Sequence, residues 1–209
     1  MPKVTDPKCK KCRREGTKLF LKGEKCFTSK CPIVRRNYPP GVHGVKGRRR
    51  PTEYGNQLRE KQKAKRIYGI LERQFRNYYQ KAIKQRGDTG EILQQMLELR
   101  LDNIIYRLGL AKSRKQARQM VSHNLFLVNA KKVNIPSFQA TPKDEITIKP
   151  TKLKIKNFID LEQKLEKHET PSWIYFDLKN KTAKILNKPK KEELEQTFNP
   201  RLIVEFYSK

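Results

Sequence analysis

No cysteine follows Cys31 in this 209-residue chain, tryptophan occurs once, at Trp173, and 21 acidic residues face 49 lysines and arginines. Each shortage excludes something. The lack of cysteine beyond the first sixth of the chain rules out a disulfide framework spanning the fold. No apolar run approaches the length of a membrane span, and the opening "MPKVTDPKCKK" has no apolar stretch of signal-peptide type. The expectation is a soluble chain in a reducing compartment. Apolar residues make up only 35% and mean hydropathy is −0.89, so one or two modest domains with small cores are expected, plus a tail. The shortage of acid leaves a formal charge of +28, which repels itself unless a polyanion accompanies it. Nucleic acid is the natural counterion.

The four cysteines that are present, Cys9, Cys12, Cys26 and Cys31, follow a C-x2-C-x13-C-x4-C pattern. Two short knuckles on a linker let four thiolates converge on one ion. Paired disulfides would need an oxidising compartment. One structural zinc ion is therefore expected, and an all-thiolate shell leaves no open position for a substrate. An iron-sulfur cluster would use the same four ligands and stays open. Arg13, Arg14, Lys18 and Lys22 lie between the ligands and are expected to join the binding surface.

The charge is unevenly placed. Between Lys46 and Arg66 there are nine Lys or Arg against two Glu. Upstream, "RRNYPPGVHGVKGRRR" holds Arg35, Arg36, Lys46, Arg48, Arg49 and Arg50 without apolar periodicity. The expectation is a loop that orders on its partner. Its glycines at 41, 44 and 47 would allow close backbone approach to phosphate, and Tyr38 and His43 offer flat faces for stacking.

Thr52 can cap a helix through "EYGNQLREKQKAKRIYG", with Gly69 as its left-handed stop. This helix is mostly polar all round, so it is expected to lie on a partner rather than inside a core. A second helix, from about Leu71 to Gln85, places Phe75, Tyr79, Ala82 and Ile83 on a core face. "RGDTG" then breaks the chain, and Thr89 can cap a third helix carrying Ile92, Leu93, Met96 and Leu97, ending near Leu99.

From Arg100 to Ile148 the pattern becomes more specific. Leu101, Ile104, Ile105 and Leu108 recur at helical spacing before Gly109, with Arg100 and Arg107 on one flank. Ser113 opens a capping box closed by Gln116. In the helix that follows, Ala117, Met120 and Val121 form the packing side, Lys115, Arg118 and Gln119 face the other way, and Arg114 sits at the border. Phosphate suits such a cationic helix start. After Asn124 the period changes to strands, "LFLV" and "KKV" around a turn at Asn129 and Ala130, then "EITI" after a turn at Pro142 to Asp144. Later, "NFIDLEQKLEKH" reads as a helix, and "WIYFDL" with "AKIL" as a hairpin. Trp173 is expected to be a buried anchor. The final "RLIVEFYSK" is apolar enough to pack back on the body.

The helix-helix-strand module resembles the RNA-binding domain named after ribosomal protein S-four. In chain order, the knuckles, "YPPGVHG", "QLREKQKAKRIYG", "ERQFRNYY", "RLDNIIYRLG", "SRKQARQMVSH", "PSW" and "LIVEFYSK" all resemble the bacterial-type small-subunit ribosomal protein S-four family. The resemblance implies an α+β protein with an N-terminal four-cysteine metal knuckle and basic arm (1–45). It also implies a helical rRNA-binding domain (46–98, completed by about 190–209), and a second domain (99–189) whose S-four-type module is two helices on a small β-sheet. It further implies a primary 16S rRNA-binding protein that organises a helix junction in the five-prime domain and nucleates small-subunit assembly. Implied partners are neighbouring ribosomal proteins, above all S-five, and mRNA where it enters the subunit, with an effect on translational accuracy. The protein's own messenger is a further candidate, and no membrane is involved. The implied location is the small subunit of a cytoplasmic ribosome, with an organellar ribosome as the alternative. Some members lack the cysteines, so the metal would aid local folding rather than RNA binding.

Carried over by motif, the RNA contacts fall in Arg35 to Arg50, in Gln57 to Arg66, and at Arg114, Lys115, Arg118 and His123. Tyr54, Gln57, Arg59, Lys61, Lys63, Lys65 and Arg66 represent the first helix, joined by Arg73 and Arg76 of the second. Arg100, Arg107, Ser113, Gln116 and Gln119 complete the module's set. Where the family usually has turn glycines, this chain has Asn124, Ala130 and Lys143, which leaves the turn types at 130 and 143 open.

Other readings fit less well. Arg100, Leu101 and Asp102 mimic part of the catalytic context of RNA pseudouridine synthases, but no catalytic domain remains in the rest of the chain. His43, His123 and His168 are scattered and lie in no metalloprotease motif, and no phosphate-binding loop or dinucleotide fingerprint is present. A free zinc-dependent RNA or DNA regulator would carry its recognition residues on one isolated module. Here the cations run through several segments.

Overall fold

In a computed structural model the described residues are 6–46, 50–152, 158, 165, 168–178 and 180–208. The chain divides into two compact units, Met1–Gln94 with Glu195–Lys209, and Gln95–Leu194.

The first unit is helical. Helix α1 (Lys8–Glu15) stops at Gly16, whose φ of 75° few other residues adopt readily. Helix α2 (Pro32–Arg35) leads into the segment expected to be a loop, Arg35 to Arg50, which itself holds a short 3-10 turn at Val42–Lys46. Proline at the first position of α2 is compatible with helix because its missing amide has no partner there in any case. Helix α3 (Glu53–Tyr68) is capped by Thr52, whose hydroxyl accepts from the Gly55 amide at 3.2 Å, and stops at Gly69 with φ 65°.

The polar composition of α3 is misleading. Gln57, Lys61, Ala64, Ile67 and Tyr68 are buried, and the helix packs against α8 (Pro200–Ser208), the C-terminal "RLIVEFYS" stretch. The chain thus supplies from its own C-terminus the cover that was expected to come from a partner. Lys61 is accommodated because its ammonium lies 4.3 Å from the Phe206 ring centroid, where the ring face attracts a cation. Helix α4 (Glu72–Ile83) turns Phe75, Tyr78, Tyr79 and Ala82 inward, and Tyr79 stacks on Tyr207 at 4.7 Å. Ile83, expected on that face, is half exposed, and Tyr78 takes its place. Helix α5 spans Thr89–Glu98; its first amides are capped not by Thr89 but by Asp88, whose carboxylate accepts from the Gly90 amide at 2.8 Å.

The second unit sets α6 (Leu101–Arg107) and α7 (Arg114–Ser122) beside an antiparallel sheet. Its strands are β1 (Phe126–Val128), β2 (Lys131–Lys132), β3 (Glu145–Ile148), β4 (Ile174–Asp177) and β5 (Thr182–Ile185), in the order β2-β1-β3-β5-β4. The sheet is wider than the small hairpin sheet expected, because β5 pairs with β3, Ile146 opposite Ala183, and so adds the late hairpin to the same sheet. Leu101, Ile104, Ile105 and Leu108 of α6 join Ala117 and Val121 of α7 over Phe126, Ile146, Ala183 and Ile185. Trp173 is buried in this core, as are Phe158 and Leu165. The rest of the helix expected over "NFIDLEQKLEKH" lies outside the described residues.

The helical spacing from Leu97 to Leu108 is interrupted after Leu99, whose amide still donates to the Gln95 carbonyl at 2.9 Å, by the extended backbone of Arg100. The amides of Leu101 and Asp102 donate to the carbonyls of Phe138 and Pro136, at 2.9 and 3.2 Å. A turn after the sheet hairpin, followed by a single bridge from Gln139 to Arg100, thereby satisfies the start of α6 and separates it from α5.

The three glycine replacements keep the glycine conformation. Asn124, Ala130 and Lys143 have φ of 56°, 61° and 77°. With Val128 paired to Lys131, Asn129 and Ala130 form a two-residue turn with positive φ at both positions, the mirror-image type I turn that suits a twisted hairpin. A Cβ in this conformation meets the following carbonyl. Ala130→Gly and Lys143→Gly should therefore each stabilise the protein by about 1 kcal/mol in urea unfolding. Unchanged midpoints would show that these turns carry no strain.

Candidate nucleic-acid interface

In the first unit Cys12, Cys26 and Cys31 are buried and Cys9 is partly so. The Lys22 amide donates to Cys26 Sγ at 3.4 Å and the Leu19 amide to Cys12, contacts that favour thiolates. Burial pushes the Cys12 thiol up, opposed by the Leu19 amide and reinforced by the charges of Cys26, Cys9 and Cys31. The donor set thus suits a soft cation and shares one neighbourhood. Yet among the described residues no three His, Cys, Asp or Glu side chains are gathered at metal-holding positions. The chemistry of the donor set fits a soft metal ion.

Arg13, expected on the RNA surface, clamps the arm instead. Its Nε donates to the Tyr38 carbonyl at 3.0 Å, its Nη2 to the Pro39 carbonyl at 3.3 Å, and its guanidinium lies 4.7 Å from the Tyr38 ring centroid. The Tyr38 face expected to stack on a base therefore stacks on Arg13. Gly44 also serves packing rather than phosphate approach, since a Cβ there would sit 1.9 Å from the Pro39 carbonyl oxygen. Around this clamp Arg14, Lys18, Lys22, Arg35, Arg36, His43, Lys46 and Arg50 are exposed. Gly47, Arg48 and Arg49 lie outside the described residues.

Several cations expected to face RNA along α3 are engaged inside the unit. Gln57 is 1% exposed, with its amide donating to Glu53 and Glu205, and Lys61 is 6% exposed. Lys61 and Lys65 both donate to Glu72, at 2.8 and 2.9 Å, and the Tyr207 hydroxyl donates to it at 2.7 Å. Although burial opposes it, these bonds hold the Glu72 carboxyl down at about 2. Burial, reinforced by the same contact, pushes the Tyr207 hydroxyl up. Arg59 and Arg66 pair with Glu15, whose carboxyl is pushed up because burial outweighs the two cations, and Lys63 pairs with Glu60. Tyr54, Arg73 and Arg76 are exposed.

In the second unit the expected set splits the same way. Arg100 is fully buried and bonded to Asp102, so it is a core residue and not an RNA contact. Ser113 accepts from the Gln116 amide at 3.3 Å, while Gln116 reaches back to the Lys112 amide, one residue before the cap, at 2.9 Å. Both side chains thus serve the helix start. Lys115, Gln119 and His123 are exposed. Arg107, Arg114 and Arg118 are half-buried and tethered to Glu98, Asn103 and Asp102 respectively. These anchors, with Glu72 and Glu15, were missed from sequence. The available signal was the scarcity of acids: Glu98 and Asp102 stand four apart among arginines.

Residues 3–98 match the family described as "Ribosomal protein S4/S9 N-terminal domain", and residues 99–146 match the S4 domain. A protein named small ribosomal subunit protein uS4 from Dictyoglomus turgidum is 52% identical over 212 residues, spanning all of both chains. Proteins of the same name from Nitrosospira multiformis and Clostridium tetani, again matched over their full lengths, are 52% and 50% identical. The chain belongs to the uS4 family. The family models cover residues 3–146, and the matches to uS4 proteins extend over the rest of the chain.

Glu72 makes the internal ion pairs of this uS4 chain testable. Its carboxyl is lowered from 4.5 to about 2, so its stabilisation is full above pH 4.5 and is lost as pH falls from there towards 2. Glu72→Gln should flatten the pH dependence of stability in that window and lower stability at neutral pH. Parallel pH profiles for the two proteins would remove Glu72 from that role.

Proposed function

We propose that the exposed cations of both units bind 16S rRNA where helices of its five-prime domain meet, early in assembly of the small subunit. The chain is a structural rRNA-binding constituent of the small ribosomal subunit and not an enzyme, as its full-length kinship with uS4 proteins establishes. That kinship is the observation that carries the finer reading. Its physical support is the persistence of exposed cations after the internal acids are paired: Arg35, Arg36, Arg50, Arg73, Arg76 and Lys115 remain at the surface. Such side chains neutralise phosphates and lower the repulsion that splays an RNA junction. Asp102, the residue in synthase-like context, is buried between Arg100 and Arg118 and is poorly placed for chemistry. No described helix is long and apolar enough to cross a membrane. The reading extends to S-five and mRNA as neighbours, to an influence on accuracy, to the chain's own messenger as a second RNA, and to a cytoplasmic ribosome.

Affinity for a five-prime-domain fragment should fall steeply with salt, each neutralised phosphate contributing about 0.7 to 0.9 to the log-log slope. Replacing Arg35 and Arg36, or Lys115, with alanine should reduce the slope without affecting folding. A flat salt response, or equal affinity for unrelated duplex RNA, would contradict the assignment.

The same reading assigns one zinc ion to Cys9, Cys12, Cys26 and Cys31, with an iron-sulfur cluster as the alternative. Support comes from the shared neighbourhood of the thiols and the amides donated to Cys12 and Cys26. Bound there, the ion would supply a local cross-link between α1 and the segment leading into α2, without reactivity. Elemental analysis of the purified chain should find one zinc per molecule, lost in Cys12→Ser together with order in residues 6–46. A metal-free wild-type chain that binds no added zinc would rule the site out.

A further inference from the structure

Glu98, Asp102 and Asn103 are 0%, 4% and 1% exposed in the second unit. Buried carboxylates are costly unless paired and hydrogen-bonded, and these are both. Arg107 clasps Glu98 through Nε and Nη2, each at 2.9 Å. Arg100 clasps Asp102 at 3.0 and 2.6 Å, and Arg118 reaches the same carboxylate at 3.5 Å.

Asn103 bridges the Glu98 carboxylate and Arg114. Its Nδ2 donates to Glu98 Oε2 at 2.8 Å and to the Glu98 carbonyl at 3.0 Å, and its Oδ1 accepts from Arg114 Nε at 2.7 Å. Only this amide orientation satisfies an anion on one side and a cation on the other. The stability of the buried pairs explains Arg100, Glu98 and Asp102. It does not explain why a buried amide on α6 is aimed at a half-exposed arginine on α7. That arginine is also held from a second side, its guanidinium lying 4.6 Å from the Tyr106 ring centroid. A hydrogen bond at Nε and a stacked face fix the plane of the fork.

We propose that Asn103 is a positioning residue for RNA binding, which sets the Arg114 guanidinium in its phosphate-binding orientation before RNA arrives. Glu98 holds Asn103 in turn, and Tyr106 completes the seat. This rests on the reading that Arg114 contacts RNA. Arginine loses much rotamer freedom when it is fixed on a ligand, and a side chain fixed beforehand avoids that loss on binding. The number of phosphates neutralised is unaffected. Loss of positioning should therefore weaken affinity without changing salt dependence, whereas loss of the cation should change both.

The test measures binding of the full chain to a five-prime-domain fragment of 16S rRNA across a salt series, for Asn103→Ala, Arg114→Lys, Arg114→Ala and the double variant Asn103→Ala/Arg114→Ala. Arg114→Ala should weaken binding and lower the slope by about 0.7 to 0.9. Asn103→Ala and Arg114→Lys should each weaken binding about three- to tenfold with the slope unchanged. Adding Asn103→Ala to Arg114→Ala should cost nothing further. Arg114→Lys leaves the core intact, so it decides the matter if Asn103→Ala unfolds. Wild-type affinity in Arg114→Lys, or a loss from Asn103→Ala that persists undiminished without Arg114, would overturn the positioning role while leaving the contact intact. Wild-type affinity and slope in Arg114→Ala would remove the contact itself, and the proposal with it.

Discussion

Repulsion among lysines and arginines is the constraint that every element of this chain answers to. With 49 cations and 21 acids, a compact state is tolerable only where acids lie between cations that folding brings together. Glu72 serves Lys61 and Lys65, Glu15 serves Arg59 and Arg66, Glu98 serves Arg107, and Asp102 serves Arg100 and Arg118. Glu15, Glu98 and Asp102 have side chains no more than 5% exposed, so water screens their fields less than at the surface. The acids act as internal counterions. Arg35, Arg36, Arg73 and Lys115 are among the cations that stay at the surface, where an RNA backbone can serve them.

This arrangement gives the arginines different roles. Arg100 is a core residue, Arg13 is a clamp on the arm, and Arg114 is held half-buried by an amide and a ring. One side-chain chemistry covers all three because the guanidinium fork can bond in its plane while its faces stack. Lysine could not replace Arg13 or Arg114 in these settings without losing one of the two restraints.

Much of the fold was legible because local rules spoke clearly. Thr52, Gly69, Ser113 and the paired positions of the strands act within a few residues of one another, and they appear where the spacing puts them. Three features were not legible. The amphipathic face of α3 was hidden because Gln57 and Lys61 occupy buried positions, which only the arrival of α8 from the far end of the chain makes acceptable. The break before α6 came from residues 136–140 supplying acceptors to its first amides. The width of the sheet depended on β5 choosing β3 as its neighbour. All three are contacts between segments distant in sequence, which periodicity does not encode.

By itself the sequence determined the polyanionic partner, the α+β class and the family, because net charge, periodicity and motif order are sums or local patterns that need no coordinates. The turns at Ala130 and Lys143, which the sequence left open, were decided by the structure as left-handed positions. Only the tertiary structure decided which cations face outward. A lysine in "QLREKQKAKR" reads the same whether its ammonium meets Glu72, the Phe206 ring or a phosphate, since that depends on which remote acid or aromatic folding places within a few ångströms.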